Sequence, residues 1–338
     1  MEACIIACGR GSRLDPFTRD RPKALIPLGE QTVLTRQLNV LRQWGIDRVT
    51  LLHRDDHDPA GVARALSAHR PAVRTATAPP HWPGVYAWLR EEYAAARTPV
   101  MTLNCDLILD DGWGSVLAEH TRTGATLTLA AAPGPGREEG QYGRPRLLTR
   151  TVDGLTTATR TPHPRDRQAS DPGETLAHQI GVSVVSPAAW PHLDGLAHRA
   201  EDPWADEFVP ALIGSGHDVR LAVRTTPWRD TGTWFRVWLA HHDLTRTEPD
   251  QQHIHPSAQL APTARVDGWA YLGPGARVGA GAVVKNSAVL AGAQLDAGSS
   301  LIDGLALPDA RIPAGAHHHA TVHLPDAAPQ PMPQAPCT

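Results

Sequence analysis

A six-residue period governs the C-terminal third of this chain. Aliphatic residues occupy every sixth position from 254 to 290, and an alanine stands two positions before each of the last six. The aliphatic positions are Ile254, Leu260, Val266, Leu272, Val278, Val284 and Leu290. Three such hexads complete one coil of a triangular solenoid whose aliphatic side chains point inward. The period, which continues to Ile312 after shortening by one residue at two points, therefore predicts a left-handed parallel β-helix over residues 254–316.

The first 245 residues show a different pattern, in which short apolar runs alternate with stretches of helical periodicity. Such alternation is typical of βαβ units, whose strands lie side by side in one sheet. We therefore predict an α/β fold with a Rossmann-like, mixed and mostly parallel sheet. The predicted strands span residues 3–7, 48–52, 99–103, 125–131, 180–185 and 219–223, and the predicted helices span residues 32–44, 84–96, 203–213 and 233–245.

These two patterns divide the 338-residue chain into four segments. We expect an α/β domain over residues 1–245, a linker over 246–253, the β-helix over 254–316, and a disordered tail rich in Pro and Ala over 317–338. The flat sides of a β-helix suit self-association, so a homo-oligomer is among the expected states.

The charge and cysteine content restrict the partners and the compartment. A net charge of −3 gives no basic field that would gather nucleic acid or an anionic membrane, so small-molecule partners are expected. The N-terminus has no basic region followed by a long apolar run, which predicts a cytoplasmic protein. Cys4, Cys8, Cys105 and Cys337 lack C-x-x-C spacing and are expected to be reduced.

A glycine-rich turn follows the first predicted strand. Gly9 and Gly11 are followed by Ser12 and Arg13. Glycines at such a turn let main-chain amides approach phosphate oxygens, and an arginine adds a charged fork. Taken alone, two glycines after a strand more often form a tight turn than a ligand site.

A lysine ten residues further on strengthens the functional interpretation. Among the 32 Lys and Arg residues of this chain only Lys23 and Lys285 are lysines. An ammonium group is a compact point charge that suits a reacting phosphate, whereas a guanidinium is a planar fork. The segment from Gly9 to Lys23 therefore predicts a triphosphate site.

Together with three further motifs, this segment resembles the sugar-nucleotide pyrophosphorylases, a family of sugar-1-phosphate nucleotidyltransferases. The family opens with G-x-G-[TS]-R-L and a later Pro-Lys pair, which residues 9–14 and 22–23 match. The resemblance covers residues 3–245, and a β-helix is a common companion of this domain. The other matching motifs are Asn104-Cys105-Asp106, Gln141-Tyr142-Gly143-Arg144 and Trp228-Arg229-Asp230-Thr231-Gly232-Thr233-Trp234.

The resemblance implies a reaction in which the phosphate of a sugar-1-phosphate attacks the α-phosphate of GTP, dTTP or ATP in line and releases pyrophosphate. It implies that Arg13 and Lys23 are catalytic and that Asp106 and Asp230 hold Mg2+, a cation that prefers oxygen ligands. The implied nucleotide-binding residues are Gly9, Gly11, Ser12, Arg13 and Gly84, and the implied acceptor-binding residues are Tyr142, Gly143, Gln179 and Gly181.

Two departures from the family pattern concern the acceptor. The family has Glu-Lys-Pro where this chain has Arg160-Thr161-Pro162, so the carboxylate that would bind sugar hydroxyls is missing. The segment Gln179-Ile180-Gly181 also lacks the usual Asn or Ala before the glycine. A cyclitol phosphate or modified sugar of secondary metabolism is therefore an alternative acceptor.

Two other functions are compatible with the sequence. A catalytically degenerate regulatory subunit would explain the lost Glu-Lys pair, although the retained Lys23, Asp106 and Asp230 argue against it. An acyltransferase built on the β-helix would use a histidine as general base. The candidate histidines are His253, His255 and the run at residues 317–319.

Overall fold

A computed structural model describes residues 1–66, 73–133, 147–152, 155–160, 174–194, 196 and 203–332. Within this part of the chain two compact units form. The first contains residues 1–10, 20–24 and 36–230, and the second contains residues 11–19, 25–35 and 231–338. Two short N-terminal segments therefore belong with the C-terminal strands, which a division into contiguous segments does not anticipate.

The helices and strands up to residue 245 have the following bounds. The helices are α1 (Val33–Gln43), α2 (Pro59–Leu66), α3 (Trp82–Tyr93), α4 (Ser115–Thr123), α5 (Val209–Gly214) and α6 (Trp234–Thr245). The strands are β1 (Glu2–Ala7), β2 (Pro27–Leu28), β3 (Gln31–Thr32), β4 (Arg48–Arg54), β5 (Val73–Ala78), β6 (Val100–Asn104), β7 (Leu107–Leu109), β8 (Leu127–Pro133), β9 (Leu147–Val152), β10 (Leu155–Arg160), β11 (Glu174–Val185), β12 (Val219–Val223) and β13 (Trp228–Asp230).

One large sheet organises the first unit. Its described strands follow the order β5-β4-β1-β6-β11-β8-β12-β10-β9. The strands β5, β4, β1 and β6 run parallel, and β11 runs antiparallel to both β6 and β8. The prediction of a mixed α/β sheet is thus confirmed, and its parallel part brings the carboxyl ends of β1 and β6 to the same edge.

The prediction located the apolar elements and missed the less apolar ones. Helix α1 forms as predicted because Leu34, Leu38 and Leu41 lie on one buried face. Strand β5 escaped prediction because its sequence Val-Arg-Thr-Ala-Thr-Ala is mostly polar or small and its side chains are largely exposed at the edge of the sheet. The helix predicted at residues 203–213 is divided into a π-helical turn, Trp204–Phe208, and α5.

The C-terminal part of the second unit consists of short parallel strands in three rows. Gln259 pairs with Arg277, Arg277 with Gln294 and Gln294 with Arg311, so the offset between neighbouring strands is 18 residues and then 17. The shortening matches the change of period after Leu290. The strands are β14 (Gln252–Ile254), β15 (Gln259–Leu260), β16 (Arg265–Leu272), β17 (Arg277–Val278), β18 (Val283–Val289), β19 (Gln294–Leu295), β20 (Ser300–Ile302), β21 (Leu305–Ala306), β22 (Arg311–Ile312), β23 (His317–His319), β24 (Thr321–His323) and β25 (Gln330–Pro331).

The rows continue beyond residue 316, where the sequence predicted a disordered tail. Strand β23 pairs in parallel with β20, β24 pairs in parallel with β21, and β25 closes onto β24 in the antiparallel sense. Val322 and Met332 are buried. The tail prediction is therefore wrong for residues 317–332, because these residues continue the stack and cover its end; residues 333–338 lie outside the described part.

Helix α6 packs within the second unit. Trp234 and Val237 belong to one apolar cluster with Trp269 and Tyr271 of β16. Trp238 donates a hydrogen bond from Nε1 to the carbonyl of Asn286 at 2.8 Å. The contacts explain why α6 belongs to the same unit as the C-terminal rows. Of the helices in the described residues, none has the length and hydropathy needed to cross a membrane.

Candidate active site

The carboxyl end of β6 carries the polar residues that the sequence singled out. Asn104 is the last residue of β6 and stands opposite Ile6 of β1 in the parallel register. The next residue, Cys105, donates its main-chain N–H to the carbonyl of Ile6 at 3.3 Å. Asp106 follows and is only 7% exposed. The chain therefore leaves the sheet beside β1 with the Asp106 carboxylate held close to the edge.

A two-stranded ladder brings the second predicted carboxylate to the same place. Strand β13 runs antiparallel to β7, and this register sets Asp230 opposite Leu107, the residue after Asp106. The two aspartates are far apart in sequence and are neighbours in space because β13 returns along β7. The sequence predicted both as one site, and the structure brings them together.

Lys23 completes this cluster. It lies on a 3-10 turn, Lys23–Leu25, and its Nζ forms an ion pair with Oδ2 of Asp106. Burial by itself would lower the pKa of Lys23, but the charges of Asp106 and Asp230 outweigh it and hold the pKa above its ordinary value. The ammonium therefore stays charged across the physiological pH range.

Cys105 lies inside the cluster and is fully buried. Burial raises the pKa of its thiol to about 12, although the charge of Lys23 works in the opposite direction. A thiol with such a pKa is protonated at neutral pH. The arrangement therefore offers an ammonium that can bind phosphate oxygens and carboxylates that can bind a cation.

Gln37 is a positioning residue that sequence reasoning missed. From α1 its Nε2 donates to the carbonyl of Asn104 at 2.8 Å and to that of Leu107 at 3.0 Å. The side chain is 1% exposed. One amide group thus fixes the main chain on both sides of Asp106. A polar residue at a buried helix position, between Leu34 and Leu38, was the signal that could have revealed it.

The predicted acceptor residues Gln179 and Gly181 lie on β11, and Gly181 lies against Asn104. Gly181 has a φ of +82°, and a Cβ built on it would lie 2.8 Å from Cγ of Asn104. The pairing of β11 with β8 shifts register between Gln179 and Ser183. Gly181 therefore allows both the bulge and the close approach of Asn104, while Gln179 is buried. Tyr142 and Gly143, the other predicted acceptor residues, lie outside the described residues, as do Thr161 and Pro162.

The glycine-rich segment follows β1. Gly9, in the first unit, is exposed, and a Cβ at this position would meet no atom within 4 Å. Gly11, in the second unit, has a φ of +64°, and its carbonyl accepts a hydrogen bond from Oγ1 of Thr18 at 2.9 Å. The left-handed backbone conformation therefore explains why this position is a glycine. The structure therefore shows no packing requirement for a glycine at position 9.

The remaining predicted nucleotide-binding residues lie on two different connections of the chain. Ser12 and Arg13 are exposed on a 3-10 turn, Ser12–Leu14. Gly84 lies in the first turn of α3, and its N–H donates to Nδ1 of His81 at 3.0 Å. A Cβ on Gly84 would lie 3.0 Å from Pro79. Gly84 therefore follows β5 on a separate connection, and the structure gives it a local packing role.

The donor set at the β6 edge fits Mg2+. Two carboxylates, Asp106 and Asp230, act on the same ammonium, and Mg2+ is typically bound by one or two carboxylates together with phosphate oxygens. Among the described residues no group of three or more His, Cys, Asp or Glu side chains could hold a metal ion. A protein cage of the kind that binds zinc is therefore absent from this part of the chain, while a phosphate-assisted magnesium site is compatible with it.

Comparison with protein families identifies the domain that carries this site. A model described as the MobA-like NTP transferase domain matches residues 3–198. The chain belongs to this family. The residues Lys23, Gln37, Asp106 and Gly181 fall within the MobA-like NTP transferase domain, whereas Asp230 follows it in sequence and reaches the site through β13.

Individual relatives match a larger share of this chain than the family model does. A glucose-1-phosphate adenylyltransferase from Jannaschia sp. (strain CCS1) is 24% identical over 285 residues, 73% of this chain and 65% of the relative. A glucose-1-phosphate thymidylyltransferase from Streptomyces griseus is 27% identical over 254 residues, 69% of this chain and 62% of the relative. This chain thus spans just under two thirds of their lengths. A bifunctional sugar-1-phosphate nucleotidylyltransferase/acetyltransferase from Sulfurisphaera tokodaii is 40% identical over 52 residues, 15% of this chain and 13% of the relative.

Proposed function

We propose that this MobA-like NTP transferase joins a nucleoside triphosphate to a sugar-1-phosphate or a related phosphorylated acceptor and releases pyrophosphate. The observation that carries the proposal is the convergence of Lys23, Asp106 and Asp230 at the carboxyl end of β6. The names of the adenylyl- and thymidylyltransferase relatives favour ATP and dTTP as donors and glucose-1-phosphate as acceptor. GTP remains a third candidate donor.

Lys23 supplies positive charge where the reaction needs it. In-line attack on the α-phosphate builds negative charge on the transferring group and on the leaving pyrophosphate, and a fixed ammonium stabilises both. The attacking acceptor phosphate is already anionic near neutral pH, so no general base is required. When a triphosphate binds, Lys23 exchanges its contact with Asp106 for one with phosphate oxygens.

Asp106 and Asp230 would hold Mg2+, which supplies charge neutralisation to the phosphates. The ion pair with Lys23 supports this role, because it brings a cationic group to the Asp106 carboxylate. Gln37 keeps that carboxylate in position by fixing the carbonyls on either side of it. The protein's contribution is therefore the placement of charged groups before the substrates arrive.

The acceptor subsite is proposed around Gly181, Gln179, Tyr142 and Gly143. The close packing of Gly181 against Asn104 supports this location, because it places the β11 main chain beside the carboxylate cluster. The sequence lacks the family's Glu-Lys pair before Pro162, so a cyclitol phosphate is a specific alternative to a hexose-1-phosphate.

A matrix assay tests the proposal. ATP, dTTP and GTP, with CTP and UTP for completeness, are each combined with glucose-1-phosphate, other sugar phosphates and cyclitol phosphates, and pyrophosphate release is measured in the presence of Mg2+. We expect at least one pair to give turnover that requires both substrates. If every combination fails with folded protein, the proposal is wrong and the chain is better explained as a regulatory subunit.

We also propose that the C-terminal rows form a left-handed β-helix. The three rows, the 18- and 17-residue offsets and the buried aliphatic positions support this assignment. An acyltransferase activity of this part is less well supported. His253 stacks on Tyr271 and its Nδ1 lies 3.2 Å from Glu248, while Nδ1 of His255 contacts Ser257 at 2.8 Å. These contacts serve local packing.

A further inference from the structure

A short hairpin lies between Lys23 and the helix that carries Gln37. Its strands β2 and β3 run antiparallel, with Pro27 opposite Thr32. Ile26 alone separates the 3-10 turn of Lys23 from β2, and no residue separates β3 from α1. A shift of this hairpin therefore reaches both Lys23 and Gln37 through a few residues of chain.

Hydrogen bonds join the hairpin firmly to α1. Thr32 caps the helix, because its Oγ1 accepts a hydrogen bond from the N–H of Thr35 at 3.1 Å. The N–H of Val33 donates to the carbonyl of Ile26 at 3.1 Å, and both side chains are fully buried. The hairpin and the first turn of α1 therefore form one local structure, from which Gln37 reaches the main chain at the end of β6.

A buried histidine holds the tip of the hairpin. The N–H of Gly29 donates to Nε2 of His241 on α6 at 3.2 Å, and Nδ1 of His241 lies 2.8 Å from the carbonyl of Val237. A neutral ring that carries its proton on Nδ1 makes both hydrogen bonds at once. His241 is 0% exposed, so these bonds are shielded from competition by water.

Two further side chains close on the same tip. A Cβ built on Gly29, whose φ is +64°, would lie 3.0 Å from Oη of Tyr271 and 3.1 Å from Cδ1 of Leu244. Leu244 lies on α6 and Tyr271 on β16. Within the second unit the tip of the hairpin is therefore packed so closely that a glycine is required.

We propose that His241 is a positioning residue for the transfer reaction, because it holds the hairpin from which Lys23 extends on one side and Gln37 on the other. Helix α6 thereby helps to place the ammonium of Lys23 and, through Gln37, the carboxylate of Asp106. Placement matters, since a displacement of about 1 Å can lower a rate by about 10². The expected effect on turnover rests on the proposed function, whereas the expected effect on Lys23 itself does not.

The placement of Lys23 can be measured without turnover. Lys23 and Lys285 are the two lysines of the chain; Lys285 is exposed, whereas the side chain of Lys23 is 18% exposed and paired with Asp106. The full chain is acylated with an N-hydroxysuccinimide ester, and mass spectrometry gives the rate at Lys23 relative to Lys285. His241→Leu removes both hydrogen bonds of the ring, so this ratio should rise at least about threefold as the segment loosens.

Two variants separate this role from a general loss of stability. His241→Gln keeps an acceptor for the N–H of Gly29, so its labelling ratio should stay within about twofold of the parent. His120→Leu is the matched control, because His120 is also buried and its two ring nitrogens contact Thr128 and Ser186 in the first unit. An unchanged ratio in folded His241→Leu, or an equal rise in His120→Leu, would overturn the proposal.

Gly29→Ala disturbs the tip while His241 stays in place, and it provides the test if His241→Leu does not fold. The added Cβ meets Tyr271 and Leu244, so the labelling ratio of Lys23 should rise here too. Gly124→Ala is its control, since Gly124 has the same φ of +64° and no atom within 4 Å of its Cβ position. Equal labelling ratios in the two glycine variants would contradict the proposed role of the hairpin.

The kinetic test uses a substrate pair that gives turnover with the parent. His241→Leu should lower kcat about tenfold and change KM by less than about threefold, and His241→Gln should restore kcat to within about threefold of the parent. If the parent turns over no pair, the proposed function fails, and the labelling ratio still decides whether His241 places Lys23. Faster labelling of Lys23 with an unchanged kcat would show that the placement does not matter for the reaction and would overturn the positioning role.

Discussion

Lys23 and Asp106, 83 residues apart in sequence, form an ion pair at the carboxyl end of β6. The pair depends on two separate elements: the 3-10 turn that carries Lys23 and the main chain between β6 and β7 that carries Asp106. In the resting protein each charge neutralises the other in a partly buried place. In the proposed reaction, substrate phosphates would take over the ammonium, and the Asp106 carboxylate would then bind a cation.

Replacement of Lys23 should abolish most of the pyrophosphate-releasing activity while the protein stays folded. Lys23→Ala is expected to lower kcat by roughly 10² to 10³, because a fixed charge aimed at the developing negative charge is lost. Lys285→Ala is the matched control, since Lys285 is the other lysine of the chain and is exposed on β18. Steady-state pyrophosphate release by both variants checks this prediction, and equal activities would refute the assignment of Lys23.

Replacement of Asp230 should change the magnesium requirement. Asp230→Asn keeps the shape of the side chain and removes one anionic oxygen ligand, so the Mg2+ concentration for half-maximal rate should rise at least about tenfold. Removal of divalent cations with a chelator should abolish turnover by the parent. Asp218→Asn, in a surface ion pair with Arg220, is the control and should leave the magnesium dependence unchanged.

Gln37 should affect catalysis through the position of Asp106. Gln37→Leu leaves the carbonyls of Asn104 and Leu107 without their donor, at a cost of about 1–3 kcal/mol in the free energy of unfolding. We expect kcat to fall about tenfold, and the KM for the acceptor to change less, because Gln37 is buried and its Nε2 donates to two main-chain carbonyls. Gln43→Leu, an exposed position on the same helix, is the control. A stability loss with unchanged kcat would show that Gln37 is only structural.

The sequence indicated Lys23, Asp106 and Asp230 because each stands in a short motif whose chemistry is local. The role of Gln37 was harder to predict, because it depends on two carbonyls that lie 67 and 70 residues further along the chain. Such a contact exists only once α1 packs beside the end of β6. The position was visible only as a polar residue on an apolar helix face.

The strands that the sequence did not predict also depend on contacts that form only in the folded chain. The six-residue period predicted the parallel rows because each turn contributes the same inward positions. The period stops near Ile312, yet β23 and β24 continue the rows with His317–His319 and Thr321–His323. Hydrogen bonding to the preceding turn holds these polar residues in strands. Composition alone does not show these bonds, so it predicted disorder.

Gly181 should tolerate no side chain. Gly181→Ala combines a positive φ of +82° with a clash against Asn104, so we expect a loss of about 1–3 kcal/mol in stability and a displaced Asn104. Gly216→Ala separates the two causes, because Gly216 has a φ of +78° and open space around its Cβ position. If both variants lose the same stability in thermal unfolding, the clash contributes nothing and the close approach of β11 to Asn104 is not a constraint.

His57 should make the protein less stable as the pH falls from neutrality. Burial, and next the charges of Arg54 and His53, lower the pKa of His57 to about 4, so the folded protein keeps it neutral. The unfolded chain binds a proton near its ordinary pKa of 6.5, so between about pH 6.5 and 4 the unfolded state gains protons that the folded state does not. Stability should therefore fall over this window by up to about 3 kcal/mol and level off below it.

The carboxylates near His57 titrate at a lower pH than the window in which His57 changes stability. They therefore do not contribute to the pH dependence measured in that window. Hydrogen bonds from Arg21 and Arg54 lower the pKa values of Asp20 and Asp56, so their stabilising contributions are lost only as the pH falls below their ordinary value of 3.8. Chemical denaturation at a series of pH values from 7 to about 4.5 measures the slope. His57→Gln removes the titrating group and should flatten it, whereas a slope that persists unchanged in this variant would assign the acid sensitivity to other buried histidines such as His323, whose pKa is also lowered to about 4.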